Sequence, residues 1–362
     1  MLKPLFLCLS LLSLTLHSAP AKGRLTHKGN FGVAGWVVYW DPTSLQVVEK
    51  QADLIDRLYP EWYIIGTDGL PQDAQFNYKP GKERDDFLAA KKRTIELAKA
   101  KGIQVIYMIV NFDKDKFEHS SARVQKFLYD PAIQKKHIQI LVENAVKDGA
   151  AGIDIDYENL LAKDAAPFSA FMAQLRKACD AKGLLLAAAL APKVSAAGTW
   201  DGNQAHDYSA LGQSLDLIRP MTYDERWATS TAGPVSSPEF SEMVDRYAVS
   251  VTSPDKVELG LAGYGYDWAG NKGVSIGWAD LQERIAKKGL KMTRDPETAE
   301  LRGRYKDAGV EREVWFCDAG SYKPKFAIIK KYKLAGLAMW RFGTEDPAFW
   351  DEVKKAKFEK GW

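Results

Sequence analysis

The sequence predicts an α/β fold, a (β/α)8 TIM barrel with a small α+β insertion between strands 7 and 8. Eight short apolar segments recur along the 362 residues, and most are followed by a segment of helical period. Several of these segments are almost continuously apolar, as is typical of parallel strands buried on both faces. Acidic and aromatic residues cluster directly after them, where a βα barrel carries its functional groups.

The predicted strands are apolar runs that end at turn or helix-capping residues. The first, Val-Ala-Gly-Trp-Val-Val-Tyr-Trp, leads into Asp41 and Pro42, a typical start for a helix. Pro220 inside the sixth strand indicates a local irregularity, because proline cannot donate a hydrogen bond to a neighbouring strand. The eight strands are predicted at residues 33–40, 57–66, 103–110, 151–159, 184–190, 217–223, 257–264 and 334–340.

Amphipathic segments predict the helices between these strands. In residues 132–147, for example, Ile133, Ile138 and Leu141 recur at helical spacing. Between about residues 269 and 317 the alternation is interrupted, and we interpret this region, with a helix at 278–288 and a strand at 312–317, as the insertion. A loop is predicted at 67–84, and the other helices at 45–53, 86–101, 167–181, 206–215, 240–250, 323–332 and 349–358.

The N-terminus has the pattern of a secretory signal peptide over residues 1–21. Lys3 precedes an apolar stretch from Leu5 to Leu16, and small residues follow, so that cleavage is predicted after Ala21. The apolar stretch is too short to span a bilayer comfortably. We therefore expect residues 22–362 to form one catalytic barrel, secreted or periplasmic, without a membrane span and monomeric.

Composition and charge exclude some classes of protein. A net charge of +3, with 27% charged residues evenly interspersed, does not favour a nucleic-acid partner. The chain has five histidines and none ends a predicted strand, which argues against a binuclear metallohydrolase. Cys179 and Cys317 allow at most one disulfide in the mature chain. We expect no metal and no cofactor.

The fourth strand carries three carboxylates at every second position. Asp154, Asp156 and Glu158 alternate with apolar residues, so a strand would place them on one face, roughly 6.5–7 Å apart. Like charges so arranged repel, and the repulsion is relieved either by a bound cation or by a raised pKa that keeps one carboxyl protonated. A protonated carboxyl at neutral pH can act as a general acid. The structural alternative is a solvated strand face with the acids outside.

Acids and aromatic residues also converge at the other predicted strand ends. These candidate site residues are Tyr39, Trp40, Asp68, Asn111, Lys193, Met221, Tyr223, Asp224, Glu225, Tyr264, Tyr266, Asp267, Trp268 and Trp340. Since a barrel brings all its strand ends to one rim, we expect these residues to surround the three carboxylates.

These motifs resemble glycoside hydrolase family 18. Gly152, Asp154, Asp156 and Glu158 fit the family's strand-four signature Asp-Gly-x-Asp-x-Asp-x-Glu. Met221, Tyr223 and Asp224 fit its Met-x-Tyr-Asp motif on strand six, and Trp340 fits the tryptophan that ends strand eight. The longer strings at residues 221–227, 263–268 and 340–346 are similar to the bacterial branch that contains spore-cortex and cell-wall hydrolases.

The resemblance implies a substrate-assisted mechanism, in which the 2-acetamido group of the sugar attacks the anomeric carbon. It implies that Glu158 is the general acid, that Asp156 faces the acetamido N–H, and that Asp154 shares a proton or a hydrogen bond with Asp156. Tyr223 would hold the acetamido carbonyl. Residues implied or considered for substrate binding are Tyr39, Asn111, Met221, Asp224, Glu225, Trp268 and Trp340, with Trp340 as the apolar floor.

Two residues depart from the family's pattern. Ala151 stands where the motif has its first Asp, and we expect this to tune the carboxylates rather than abolish catalysis. Arg226 stands where the related sequences tend to carry His, which bears on the sugar subsites.

The function expected is a secreted glycosidase that cleaves β-1,4 bonds at N-acetylglucosamine in peptidoglycan. Chitin or N-glycan hydrolysis is the alternative within the enzyme class, and a non-catalytic, lectin-like barrel is the alternative outside it. Endo or exo action stays open.

Overall fold

The computed structural model describes residues 23–74 and 81–362. The predicted signal peptide and part of the predicted loop at 67–84 lie outside the described residues. The barrel strands are β1 (Gly32–Val37), β2 (Arg57–Ile65), β3 (Gln104–Val110), β4 (Gly152–Asp156), β5 (Leu185–Leu190), β6 (Leu217–Pro220), β7 (Glu258–Ala262) and β8 (Gly336–Trp340).

These eight strands form a closed parallel barrel. They pair in the order β7-β8-β1-β2-β3-β4-β5-β6, and a bridge between Ile218 and Val257 joins β6 to β7. β8 therefore lies between β1 and β7, although it comes last in the chain. The predicted (β/α)8 fold is confirmed.

The α-helices are α1 (Pro42–Gln51), α2 (Lys82–Lys101), α3 (Ser121–Leu128), α4 (Pro131–Asp148), α5 (Ala165–Asp180), α6 (Asp201–Ala205), α7 (Tyr208–Ser214), α8 (Pro238–Val251), α9 (Trp278–Lys288), α10 (Ala319–Tyr332) and α11 (Phe349–Lys357). Each helix predicted from the sequence is present in the structure, and α3 and α6 are additional. Among the described residues, no helix has the length and apolar character needed to cross a membrane.

Helix α4 has well-defined ends that set the start of β4. The Asp130 side chain accepts hydrogen bonds from the first free N–H groups of the helix, and Gly149 ends it with a left-handed φ of 65°. Gly152 then begins β4 where a Cβ atom would lie 2.4 Å from the carbonyl oxygen of Leu185 on β5. A side chain at this position would therefore push β4 away from β5.

The insertion is a five-stranded antiparallel sheet covered by α9, with a small hydrophobic core of its own. It begins at Gly265 rather than near residue 269, because the seventh barrel strand ends at Ala262 and the chain turns back at once. Its strands are Gly265–Ala269, Lys272–Ile276, Lys291–Arg294, Leu301–Asp307 and Val310–Phe316. Its core residues are Ile276, Leu281, Leu290, Tyr305, Val314 and Phe316.

Two further features bear on the sequence-based expectations. After β3, a two-stranded ribbon pairs Phe112–Asp113 with Glu118–His119, and α3 follows; neither was predicted, because residues 113–118 are mostly charged and show no period. Cys179 and Cys317 are both buried and unpaired, so they do not form the one disulfide that the sequence allowed.

Candidate active site

β4 brings the three predicted carboxylates to the inside of the barrel. Asp154 and Asp156 lie within the strand and Glu158 follows it. Ile153 and Ile155, which alternate with them, are fully buried in the main hydrophobic core. The solvated strand face considered as an alternative is therefore excluded.

Asp154 lies at the base of the site in a chain of buried charges. Arg219 of β6 donates to its Oδ1, and both side chains are fully buried. The Arg219 guanidinium lies 3.9 Å from the centre of the Tyr59 ring and 3.8 Å from Glu258 Oε2, and Glu258 also pairs with Arg57 at 2.5 Å. Burial raises the pKa of Asp154 to about 6, and the positive charge of Arg219 opposes this rise. The ion pair thus favours an ionised Asp154.

A cavity of about 740 Å³ opens above this ion pair at the C-terminal ends of the strands. Its lining combines carboxyl and hydroxyl groups with a large aromatic surface. Its lining residues are Trp36, Tyr39, Trp40, Glu61, Ile64, Val110, Phe112, Lys114, Phe117, His119, Asp156, Glu158, Ala189, Met221, Tyr223, Asp224 and Trp340.

Asp156 and Glu158 both face this cavity with raised pKa values. Burial raises the pKa of Asp156 well above its usual range, and the charge of Glu158 adds to the rise. Burial also raises the pKa of Glu158 to about 7, with a further contribution from Asp224. The Glu158 side chain is 31% exposed, so its carboxyl can reach a ligand in the cavity. A carboxyl that remains protonated near neutral pH has the property that a general acid requires.

Asn111, just after β3, holds the backbone of Glu158 from two sides. Its Nδ2 donates to the Glu158 carbonyl at 2.8 Å, and its Oδ1 accepts from the Glu158 N–H at 3.0 Å. The same Oδ1 lies 2.9 Å from Nδ1 of His119, whose Nε2 is 3.1 Å from Glu158 Oε1. Asn111 is fully buried and lies outside the cavity lining, so it positions Glu158 rather than facing a ligand.

Tyr223 and Asp224 follow β6 and line the same cavity. Burial raises the pKa of Tyr223 well above its usual range, so its hydroxyl remains a hydrogen-bond donor. Asp224 has a left-handed φ of 56° and accepts hydrogen bonds from Tyr264 and Tyr266 at 2.6 and 3.0 Å. Burial raises the pKa of Asp224, and these two hydroxyls oppose the rise. Met221 also lines the cavity.

Aromatic side chains form much of the rest of the cavity. Trp340 ends β8 and packs edge-on against Trp36 at 5.7 Å. Tyr39 lies edge-on to Trp40 at 4.9 Å, and Trp40 is 47% exposed. Phe117, on the turn of the ribbon, is 85% exposed. These rings offer apolar faces to a ligand.

Besides Asn111, two further residues predicted to bind substrate, Glu225 and Trp268, lie outside the cavity lining. The Glu225 carboxylate accepts the N–H of Ser237 at the start of α8, and thereby anchors a loop. Trp268 is buried, and its Nε1 donates to the Trp227 carbonyl at 3.1 Å. Neither Glu225 nor Trp268 is therefore placed to contact a ligand in this cavity. Arg226 is likewise absent from the lining.

Three polar residues at the site were missed from the sequence. Glu61 lines the cavity, and burial, with a contribution from Asp156, raises its pKa to about 8. Glu61 and Arg219 each interrupt an apolar strand, which is a signal that could have identified them. His119 gives no such signal, because it lies in a polar loop segment. Among residues 23–74 and 81–362, no group of three or more His, Cys, Asp or Glu side chains is placed to hold a metal ion.

Comparisons with known proteins identify the family of this chain. The model of the family "Glycosyl hydrolases family 18" matches residues 37–345. The chain is 30% identical to the cortical fragment-lytic enzyme of Bacillus subtilis over 86% of its own length and 72% of the relative's. A chitinase from Chromobacterium violaceum has a similar structure, with a TM-score of 0.80 at 26% identity over 90% of this chain and 98% of that one. The spore cortex-lytic enzyme SleL of Bacillus megaterium has a TM-score of 0.79 at 26% identity, over 92% and 75%.

The family match runs from the last residue of β1 through β8 and includes the carboxylates of β4, the Met-x-Tyr-Asp segment after β6 and Trp340. These are the elements that form the walls of the cavity. The chain therefore belongs to family 18 of the glycoside hydrolases.

Proposed function

We propose that this glycoside hydrolase cleaves β-1,4 bonds at N-acetylglucosamine residues of peptidoglycan, with substrate assistance and retention of configuration. The observation that carries the proposal is the cavity itself. In it, Asp156 and Glu158, both with raised pKa values, lie with Tyr223 above a buried ion pair. Each of the three groups matches one requirement of acetamido participation.

The first step breaks the glycosidic bond. Glu158 gives its proton to the glycosidic oxygen as the bond from that oxygen to C1 breaks. The acetamido carbonyl oxygen forms a new bond to C1, and the positive charge spreads over the resulting oxazolinium ring. Asp156 accepts the hydrogen bond of the acetamido N–H, while the Tyr223 hydroxyl donates to the acetamido oxygen and orients it for attack. Trp340 supports the sugar ring from below.

The second step restores the enzyme. Glu158, now a carboxylate, takes a proton from a water molecule as the water oxygen attacks C1 and the bond to the acetamido oxygen breaks. Two inversions at C1 give net retention. A Glu158 pKa near 7 suits a group that must act first as an acid and then as a base.

Relatives favour peptidoglycan as the substrate. Curated relatives matching most of this chain are named cortical fragment-lytic enzymes, and SleL is a spore cortex-lytic enzyme. Chitin remains the second candidate, since a chitinase is equally similar in structure. We further propose that the protein acts outside the cytoplasm as a monomer after removal of residues 1–21.

Product analysis tests this proposal. Purified peptidoglycan is digested with the wild type or with Glu158→Gln, reduced with borohydride and analysed by mass spectrometry. We expect new reduced N-acetylglucosamine ends with the wild type and a loss of about 10²–10⁴-fold in their rate with the variant, the usual contribution of a general acid. Glu96→Gln, a matched change at an exposed position on α2, controls for the loss of a carboxylate.

Three outcomes of this experiment have different meanings. Reduced N-acetylmuramic acid ends in place of N-acetylglucosamine would contradict the proposed bond. Cleavage of chitin oligomers without cleavage of peptidoglycan would keep the mechanism and change the substrate. Full activity of Glu158→Gln would overturn the assignment of the general acid.

A further inference from the structure

His119 is in contact with the carboxyl proposed as general acid, and the hydrogen bonds around it determine which of its nitrogens carries a proton. The argument begins at Asn111. Because its Nδ2 must donate to the Glu158 carbonyl and its Oδ1 must accept from the Glu158 N–H, the orientation of the amide is fixed.

This orientation determines the state of the histidine. Asn111 Oδ1 can only accept, so the His119 nitrogen 2.9 Å away, Nδ1, must donate to it. In a neutral imidazole, Nε2 then has no hydrogen and is an acceptor. Edge-on packing against Phe112, with ring centres 5.4 Å apart, helps to keep the ring in this orientation.

The remaining contact joins Nε2 to Glu158 Oε1 at 3.1 Å. An unprotonated Nε2 and a carboxylate would place two acceptors against each other, so the contact requires one proton. That proton can lie on Glu158, with a neutral imidazole, or on Nε2, with a carboxylate. In both forms the pair holds one proton between the two atoms.

We propose that His119 is a positioning residue that holds the catalytic proton on Glu158 through this contact; the inference rests on the proposed role of Glu158. Once Glu158 has given its proton to the glycosidic oxygen, two lone pairs face each other across the contact. The carboxylate is then destabilised until it takes a proton from the attacking water. His119 thereby favours the protonated acid at the start and at the end of the cycle.

The surrounding charges favour the form with the proton on Glu158. Burial lowers the pKa of His119, although the charge of Asp156 opposes this, while burial and Asp224 raise the pKa of Glu158. Asp156 acts on His119 and Asp224 acts on Glu158. The other titratable or charged groups that line the cavity are Glu61, Lys114 and Tyr223. Further groups on the neighbouring elements are Arg341, which acts on Glu61, and the ion pairs Arg123–Asp113 and Arg219–Asp154.

The variant His119→Asn separates the two functions of the imidazole. The asparagine amide can still donate to Asn111, but it is too short to reach Glu158. On soluble peptidoglycan fragments, we expect the alkaline limb of kcat/KM to move down by about one pH unit, and kcat at pH 7 to fall about tenfold with little change in KM. On a 4-nitrophenyl β-N-acetylglucosaminide, whose leaving group needs no proton, we expect the rate to stay within about threefold. His27→Asn, at an exposed histidine, is the matched control.

Nuclear magnetic resonance tests the same contact without substrate. Long-range proton–nitrogen correlation spectra of the wild type should show His119 protonated at Nδ1, its signals being identified by their loss in His119→Asn or, should that variant not fold, in His119→Phe. A proton on Nε2 with a bare Nδ1 would overturn the proposal, as would an unchanged alkaline limb or equal losses on both substrates. If the wild type cleaves neither substrate, the proposed function fails, whereas the tautomer measurement still decides the contact.

Discussion

Arg219 and Asp154 form a fully buried ion pair that joins β6 to β4 beneath the cavity. Breaking such a pair leaves one charge buried without compensation, which typically costs about 3–5 kcal/mol. We therefore expect Arg219→Met to lower the free energy of unfolding by about this amount in urea denaturation. Glu258 would keep its pairing with Arg57, so the loss should come mainly from Asp154.

A double-variant cycle separates the pair from its surroundings. In Arg219→Met combined with Asp154→Leu, neither charge remains, and we expect the double variant to be more stable than the sum of the two single losses predicts. Strict additivity would mean that the two residues contribute independently. Activity should be lost in both variants that lack Asp154.

Tyr223→Phe tests the proposed orientation of the acetamido group. The substitution keeps the ring and removes one hydroxyl, so the thermal midpoint should change little. Loss of a donor at a developing charge typically costs about 10²–10³-fold in kcat, and we expect a fall of that size in steady-state assays on peptidoglycan fragments. Tyr129→Phe removes a hydroxyl from an exposed tyrosine that directly follows α3 and lies outside the cavity lining, and it should retain full activity. A rise in KM with an unchanged kcat would contradict the catalytic role.

Two buried histidines predict acid sensitivity of the fold. Burial lowers the pKa of His137 and of His206 to about 4 each, and both contact Tyr157, the residue before Glu158. A histidine with a folded pKa near 4 and an ordinary unfolded pKa of about 6.5 binds more protons when unfolded between these values. Its contribution to stability is thus complete above the unfolded pKa and is lost as the pH falls through the window from about 6.5 to 4.

The size of this effect can be measured on one histidine. From pH 7 to pH 5, each such group should account for about 2 kcal/mol of lost stability. His206→Gln removes the titration, so its unfolding free energy should fall less steeply with pH than that of the wild type, whatever its value at pH 7. His27→Gln, a matched change at an exposed position, is the control. Identical slopes in all three proteins would show that His206 is not held neutral.

Exposed rings at the rim of the cavity predict recognition of longer glycans. Trp40 lines the cavity while 47% of its side chain is exposed, so its ring is free to stack on a sugar. Loss of about 1.4 kcal/mol of apolar contact corresponds to a tenfold change in affinity. We expect Trp40→Ala to raise KM for long glycan chains about tenfold, with kcat nearly unchanged. Phe358→Ala, which removes an exposed ring beside the start of β1, should not alter KM.

The sequence predicted the barrel well because parallel strands buried on both sides leave an apolar pattern in the chain. The carboxylates of β4 were identifiable for the same reason, since acids are conspicuous among isoleucines. The ends of the strands were predicted less accurately, because tertiary contacts determine where a strand stops. β6 stops at Pro220 rather than running to Tyr223, and β7 stops at Ala262, because the chain there leaves the barrel to form the insertion.

The residues that sequence reasoning misplaced or missed depend on contacts across long distances in the chain. Glu225 was expected to face substrate, yet its carboxylate instead accepts a hydrogen bond from the backbone N–H of Ser237. Asn111 and His119 act on a residue some forty positions further along the chain, and no local pattern reports that proximity. The sequence motifs identified Glu158 itself, whereas the contacts that Asn111 and His119 make with it could be identified only from the folded structure.

The position of β8 in the barrel also has a consequence for the order of folding. The insertion makes its sheet from strands that are close in sequence, so its loops close at small entropic cost. β8 must instead pair with β1, where Gly336 meets Gly32 from the opposite end of the chain. Pairings of such large sequence separation form slowly. Trp340, which lines the cavity, belongs to that strand, so this part of the cavity wall is assembled only when the barrel closes.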